Sequence, residues 1–398
     1  MNLSTKILIG LGLGVLAGLG LGSEGVPLAK TWIAPFGAIF LNLIKMIIVP
    51  LVFASLIIGV CGLGDVKKIG RIGTKTLAYY LGTTAFAIFL GLVLGTVLNP
   101  GLGLTMPGAE VKAAAKAAPP IMQVIVDIFP SNPMDAMLKA NMLQIIVFAL
   151  FVGGGIAVVG ERAKTVYNFF DGLAETCYAI VNMIMKIAPL GVFALIAPVV
   201  AANGPSVLLP LLKVVICVYL GCILHAVFVY GAMLKFIGKY SPFTFFKNLL
   251  PAQLVAFSTC SSSATLPVNM ECVQKMGVSK EISSFVLPLG ATVNMDGTAL
   301  YQGVCALFVA QIYGIDLTSA QMMTIILTGT LASIGTAGVP GAGLIMLTMV
   351  LQSVGLPLEG VALVAGIDRV LDMPRTTVNI TGDAVVAYII EKGEADRA

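Results

Sequence analysis

Six ionisable residues, Asp296, Asp368, Arg369, Asp372, Arg375 and Asp383, fall inside otherwise apolar stretches of the last third of the chain. Each would cost about 2.5–3.5 kcal/mol at a bilayer centre, so they must face protein, water, ions or a ligand rather than lipid. Asp368, Asp372, Arg375, Asn379 and Asp383 are spaced 4, 3, 4 and 4 apart, which places them on one helical face. Asp372 and Arg375 could close an inert internal pair, but that reading leaves Asp296 and Asp383 without cations. A buried unpaired carboxylate either takes up a proton or binds a metal ion. A hard cation such as Na⁺ wants several oxygens. Asn294, Asp296, Asn379, Asp383 and the carbonyls freed by interrupted helices can supply them. The planar fork of Arg375 can hold a carboxylate bidentately, which a lysine cannot do, and Asp372 offers the opposite charge to an ammonium. Together they describe a ligand with a side-chain carboxylate and an amine. Arg369, near the start of its stretch, reads as a residue at the polar edge or snorkelling. His225, the single histidine, reads as a satisfied structural residue rather than a proton relay.

The elements that must position these groups are membrane spans. The chain has 398 residues, 58% hydrophobic and only 11% charged, with a mean hydropathy of +1.01. A soluble domain would carry about 25% charge. The apolar residues come in runs long enough to cross a hydrocarbon core of about 30 Å. The first run, residues 7–21, could pass for a signal peptide but is read as a retained helix, because another apolar run begins at Trp32. Its glycines at 10–22 read as close helix packing, not phosphate binding. The charge of +4 is spread over loops and gives nucleic-acid binding no support. Seven cysteines without CxxC spacing read as buried free thiols.

Basic loops mark the cytoplasmic side. They lie at Lys67, Lys68, Arg71 and Lys75; at Arg162 and Lys164; at Lys235, Lys239 and Lys247; and at Lys275 and Lys280, with Lys392 and Arg397 at the C-terminus. Alternation with charge-poor loops yields six spans, roughly 5–23, 33–61, 76–98, 121–159, 166–200 and 207–234. It then fails: residues 248–270 are apolar yet flanked by basic loops on both sides, the pattern of a re-entrant segment. Their centre, residues 258–265 (Ser-Thr-Cys-Ser-Ser-Ser-Ala-Thr), makes a turn between two half-helices. Residues 322–354 repeat the situation from the opposite side, broken at 333–343 (Ser-Ile-Gly-Thr-Ala-Gly-Val-Pro-Gly-Ala-Gly). Half-helices of about 10 residues would reach about 15 Å and end near the midplane, where irregular backbone survives only against protein or a cavity. Each hairpin is followed by an interrupted span, at 294–298 (Asn-Met-Asp-Gly-Thr) and 379–383 (Asn-Ile-Thr-Gly-Asp). Such paired broken segments are the inverted-repeat pointer to a transporter's binding site.

Four blocks in order, residues 260–267 (Cys-Ser-Ser-Ser-Ala-Thr-Leu-Pro), 288–298, 333–343 and 372–383, resemble the glutamate/aspartate:sodium symporter family, the dicarboxylate/amino acid:cation symporters. The resemblance covers nearly the whole chain. It implies an all-α polytopic membrane protein with eight transmembrane helices, two opposed re-entrant hairpins (about 241–275 and 319–354) and inverted repeats. It further implies a homotrimer working as an elevator, with residues 1–72 and 99–200 as scaffold and 73–98 and 201–398 as transport domain. The location implied is the cytoplasmic (inner) membrane of a prokaryote, with both termini cytoplasmic. By the same resemblance an acidic amino acid touches Ser261, Ser262, Thr298, Val339, Gly343, Asp372, Arg375, Thr376 and Asn379. One sodium uses Gly290, Asn294, Asn379 and Asp383; a second uses Thr292, Met295, Ser333, Ile334 and Thr336. A third uses Tyr80, Thr83, Thr84, Asn294 and Asp296, three Na⁺ per cycle in all. Arg375 resembles acidic-substrate members and Asp383 sodium-coupled ones, while Gln302 stands where vertebrate members place a glutamate linked to proton coupling. The chain departs from the family at Cys260 and Met373, where archaeal and vertebrate members respectively carry a second arginine. The alternatives are a C4-dicarboxylate carrier or a proton-coupled glutamate carrier of the same fold; the former needs no ammonium partner, and Asp372 argues against it. A channel is disfavoured by two opposed re-entrant tips, and an enzyme by the lack of a serine–histidine or metal-ligand cluster.

Overall fold

A computed structural model describes residues 3–61, 70–104, 126, 129–139, 141–334 and 341–395. Among these residues every regular element is helical. The chain opens with α1 (Leu3–Leu21), then bends by 101° through the left-handed Gly22 and short helical turns into α2 (Ala34–Cys61). There follow α3 (Gly70–Leu98), the short α4 (Pro133–Leu138), α5 (Met142–Val159), α6 (Lys164–Asn203) and α7 (Leu208–Leu224). Two wide π-type stretches, His225–Tyr230 and Met233–Ile237, prolong α7. The first hairpin is α8 (Pro242–Thr259) and α9 (Ser262–Lys275); α10 (Lys280–Val293) and α11 (Asp296–Ile312) make one interrupted span. The second hairpin is α12 (Ser319–Ser333) and α13 (Ala342–Ser353), and α14 (Val361–Ala395) ends the fold.

The elements sort into two packing groups. In one, α1 and α2 lie on α6, and α5 lies on α2. In the other, α11 is the axis: it packs on α3 and α14, and it is buried from Asp296 through Ala310. The groups meet where α14 touches α1 and α6, and where the arms of the second hairpin touch α2 and α5. Outside, the surface is apolar: Trp32, Phe228, Phe236 and Phe243 are 67–80% exposed. Such a surface suits lipid and not water. Ile72–Leu98, Gly204–Ile237 and the run Gln144–Val181 are each long and apolar enough to cross a bilayer.

Without a hydrophobic drive between helices inside lipid, close approach of small residues does the packing. Gly10, Gly14 and Gly18, one turn apart, lie against the backbone of Pro189, Phe193 and Ala197 on α6, whereas Gly12 and Gly20 face open space. Gly91 on α3 lies against the carbonyl of Leu300, and Gly303 on α11 against that of Ile88, so those two backbones touch in both directions.

Three expectations change. The arms of the hairpins are 18 and 14 residues, then 15 and 12, longer than the ten or so expected, because apolar residues continue outward from each break. The break at Asn294 and Met295 is present, but α14 runs unbroken through 379–383. No proline falls in that stretch, and the Thr377 and Thr381 hydroxyls bond back to the Met373 and Thr377 carbonyls inside the helix. All seven cysteines are free; six are buried, while Cys61 is half-buried.

The glycine register can be checked directly. Gly14→Val should destabilise the detergent-solubilised protein by about 1–3 kcal/mol, the usual range for overpacking. Gly12→Val should leave its thermal melt unchanged. Equal shifts for both would mean that α1 does not lie on α6 in this register.

Candidate functional site

The site forms where α14 passes the break between α10 and α11. Asn294 leaves the helix in an extended conformation, and α11 restarts at Asp296 with unsatisfied N–H groups. A side chain from α14 caps it: the Gly297 N–H donates to Asn379 Oδ1 at 2.8 Å. The Asn379 amide in turn donates to Thr298 Oγ1 at 3.3 Å and approaches the Met295 sulfur at 3.4 Å. One asparagine thus ties together three residues of the interrupted span.

Below it lies Asp383, 1% exposed. The Asn294 amide donates to Asp383 Oδ1 at 2.9 Å and to the Asn379 carbonyl at 3.0 Å, which leaves its own Oδ1 buried without a partner. Gly290 backs onto the Asp383 carboxylate and the Tyr80 hydroxyl, with no room for a Cβ. Gly290, Asn294, Asn379 and Asp383 therefore come together at a buried carboxylate, with the Asn294 Oδ1 unspent. That is a donor set suited to a hard cation.

Asp296 sits in a different setting. Its Oδ1 accepts from Thr84 at 2.6 Å; its Oδ2 accepts from Tyr230 at 2.7 Å and lies 3.1 Å from His225 Nε2. Asp296 thus has an aromatic, partly nitrogenous shell, and His225 is held on one nitrogen only, its Nδ1 buried without a partner. The reading of a fully satisfied histidine is corrected on this point. The Tyr80 hydroxyl donates to the Val286 carbonyl, and the Thr83 hydroxyl lies within bonding distance of the Tyr79 and Tyr80 carbonyls within α3.

Arg375 is fully buried. Its Nη1 lies 3.0 Å from Asp368 and its Nη2 3.0 Å from Asp372, while the guanidinium stacks 4.0 Å from the centre of the Tyr301 ring. Both are ion-pair contacts of non-ideal hydrogen-bond geometry, and the guanidinium carries five N–H donors, more than these two contacts engage. The internal pair considered from the sequence is therefore present, widened to two carboxylates, yet further donors remain free to be aimed elsewhere. The Thr376 hydroxyl donates to Asp372 at 3.2 Å. Gly343, on the second hairpin, lies against the guanidinium, and Gly297 against the Arg375 backbone.

At the tip of the first hairpin, Ser261 caps α9 by accepting from the Ala264 N–H, and Ser262 is 3% exposed. Arg369, half-buried, donates from Nη2 to the Ser258 and Thr259 carbonyls at 3.3 and 3.1 Å. The second hairpin places Ser333, bonded to the Thr330 carbonyl, and Ile334 at the end of α12, and the Thr292 hydroxyl donates to the Leu289 carbonyl. Val339 and Thr336 lie outside the described residues. Sequence reasoning gave no role to Asp368, Tyr301 or Tyr230. Asp368 already lay on the polar stripe, which was a usable signal, but no local pattern marks the two tyrosines.

The chain matches the model of the sodium:dicarboxylate symporter family over residues 3–393. It is 40% identical to a proton/sodium-glutamate symport protein of Geobacillus stearothermophilus, covering 99% of this chain and 95% of that one. It is 38% identical to a proton/glutamate-aspartate symporter of Escherichia coli strain K12, covering 99% and 93%. It is also 36% identical to a C4-dicarboxylate transport protein of Ralstonia nicotianae, covering 91% and 86%. Matches of that extent, over helices whose charged residues converge on one buried locus, make this chain a member of the sodium:dicarboxylate symporter family: a multi-pass membrane transporter and not an enzyme.

Proposed function

We propose that the protein imports an acidic amino acid, aspartate or glutamate, together with sodium across the cytoplasmic membrane of a bacterium. The observation that carries this reading is Arg375, buried between two carboxylates with more N–H donors than those two contacts engage. A guanidinium so placed is held in position by charge while keeping donors for a ligand carboxylate. Asp372 lies beside it for the amine, Thr376 is bonded to Asp372 and Gly343 lies against the guanidinium; Ser261, Ser262, Thr298, Val339 and Asn379 complete the proposed set. The relatives' names point to the same two amino acids.

The charge count supports three sodium ions. Asp296, Asp368, Asp372 and Asp383 carry four negative charges and Arg369 and Arg375 two positive ones. Taken as fully ionised, these groups and a substrate of net −1 leave three negative charges to be balanced. Burying these without counter-ions is prohibitive, so substrate and cations enter together. The Asp383 set, the Asp296 set with Tyr80, Thr83 and Thr84, and the set of Thr292, Met295, Ser333, Ile334 and Thr336 are the proposed places. Asp296 must share its carboxylate with Thr84, Tyr230 and His225. The two packing groups are the proposed scaffold (residues 1–72 and 99–200) and moving transport domain (73–98 and 201–398), an elevator of eight spans and two hairpins. Its apolar exterior on α2 and α5, where Phe36, Ile39 and Phe151 are exposed, is available for homotrimer contacts. Both termini are placed on the cytoplasmic side, by the basic loops.

A C4-dicarboxylate cargo is the second reading, favoured by the engagement of Asp372 with Arg375 and Thr376, which lets that carboxylate be balanced without an amine. Uptake of labelled aspartate into proteoliposomes, competed by glutamate, malate and serine with and without Na⁺, separates them. Glutamate should compete and malate should not, and uptake should vanish without Na⁺.

Arg375→Ala should lower acidic-substrate uptake efficiency about a thousandfold or more, because a site built for a polar group rejects its loss that strongly. Unchanged aspartate affinity would sink the assignment. Asp383→Asn keeps an oxygen but loses the charge, and should raise the Na⁺ concentration for half-maximal uptake by about tenfold, the equivalent of about 1.4 kcal/mol. An unaltered sodium curve would make Asp383 a structural residue. With three Na⁺ per substrate of net −1, two charges move per cycle, so 100 mV adds about 4.6 kcal/mol of drive. Uptake indifferent to a clamped potential would refute that count in the absence of potassium return.

A further inference from the structure

The contact of Arg369 with the first hairpin is not explained by substrate or ion binding. The carbonyls at the end of a helix have no partner within it. At the end of α8 the Ala256 carbonyl accepts from the Cys260 N–H, and the next two exposed acceptors used are those of Ser258 and Thr259, both bound by Nη2 of Arg369. A cation there also meets the negative end of the half-helix dipole. The cap comes from another element, α14, which is the helix that carries Asp372 and Arg375.

The turn it holds is unfavourable for the chain. Cys260 takes a left-handed conformation, φ 54°, that residues with side chains seldom adopt. Such a conformation persists only where the surroundings impose it. Two other bonds fix this hairpin to α14, from Gln253 to the Thr381 hydroxyl at 3.0 Å and from Asn269 to the Ile380 carbonyl at 3.0 Å. Both lie along the arms, about 17 Å along α14 from Arg369 at 1.5 Å per residue. Removing the Arg369 contact would therefore release the tip while the arms stay docked.

We propose that Arg369 is a positioning residue that latches the tip of the first hairpin to the substrate-reading helix, so that Ser261 and Ser262 are presented to the ligand only while the latch is closed. This rests on the acidic-substrate reading above for the ligand, but not for the latch.

The native thiol of Cys260, 2% exposed, reports the tip. Full-length Arg369→Gln and Arg369→Lys proteins are reconstituted in proteoliposomes and treated with a membrane-permeant maleimide, and modification is quantified on the peptide that contains Cys260. Local opening should raise its labelling rate by about fivefold or more in Arg369→Gln. The aspartate KM should rise by about tenfold with maximal uptake within about threefold of the parent, the pattern of lost binding geometry rather than lost turnover. Arg369→Lys should fall between, since an ammonium restores the charge but not the fork. Unchanged labelling overturns the latch. Raised labelling with an unchanged KM overturns the presentation of the serines, and a raised KM with unchanged labelling shows Arg369 acting on the substrate itself. If the glutamine variant fails to insert, the lysine variant is read by the same criteria. If the parent protein takes up no aspartate, the acidic-substrate reading fails, and the labelling rates alone decide the latch.

Discussion

The fully buried guanidinium of Arg375 constrains everything around it. A lone cation in a membrane interior is untenable, so two carboxylates and a tyrosine ring must stand beside it. Asp368 and Asp372 satisfy that need from the same helix, about two turns and one turn before it. Their combined charge then exceeds that of the arginine, and the excess must be met by something that comes and goes. Cation coupling follows from this surplus rather than from any single ligand set. The arrangement also explains how Arg375 can be held firmly while donors remain free: charge fixes where it sits, and the unengaged donors decide what it reads.

The same economy governs the break between α10 and α11. An interrupted helix in lipid exposes amides and carbonyls that water cannot reach. Asn379 covers the amide side with its oxygen and spends its nitrogen on Thr298 and Met295. On the carbonyl side the Asn294 backbone N–H donates to the Gly290 carbonyl, while its side-chain amide donates to Asn379 and Asp383 and keeps a buried oxygen without a partner. A cation seated there would be read by both helices at once, which joins ion occupancy to the placement of the substrate residues four positions away on α14.

How much of this was legible varied by residue. Asp372, Arg375, Asn379 and Asp383 declared themselves because charge at helical spacing in an apolar run has no other explanation. The hairpin tips were visible because serine and glycine clusters interrupt hydropathy. Tyr230, Tyr301 and His225 were not, because an aromatic residue in an apolar helix looks the same whether it packs on lipid or donates to a carboxylate from another helix. The continuous α14 was misread for a related reason: Asn-Ile-Thr-Gly-Asp resembles the broken segment in composition, but its hydroxyls bond within their own helix. The contact of Arg369 was not legible because its partners are backbone carbonyls more than a hundred residues away, and carbonyls have no sequence signature.

Much of the wall of the site is main chain. Gly290 lies against Asp383, Gly297 against the Arg375 backbone, Gly343 against its guanidinium, and Gly382 against the Tyr230 hydroxyl and the Asn294 amide. A wall without side chains cannot be trimmed to enlarge the chamber, and any added carbon collides with a functional atom. A change of cargo in this chain would thus have to come from the chemical group at the end of a long side chain, by altered polarity at constant volume.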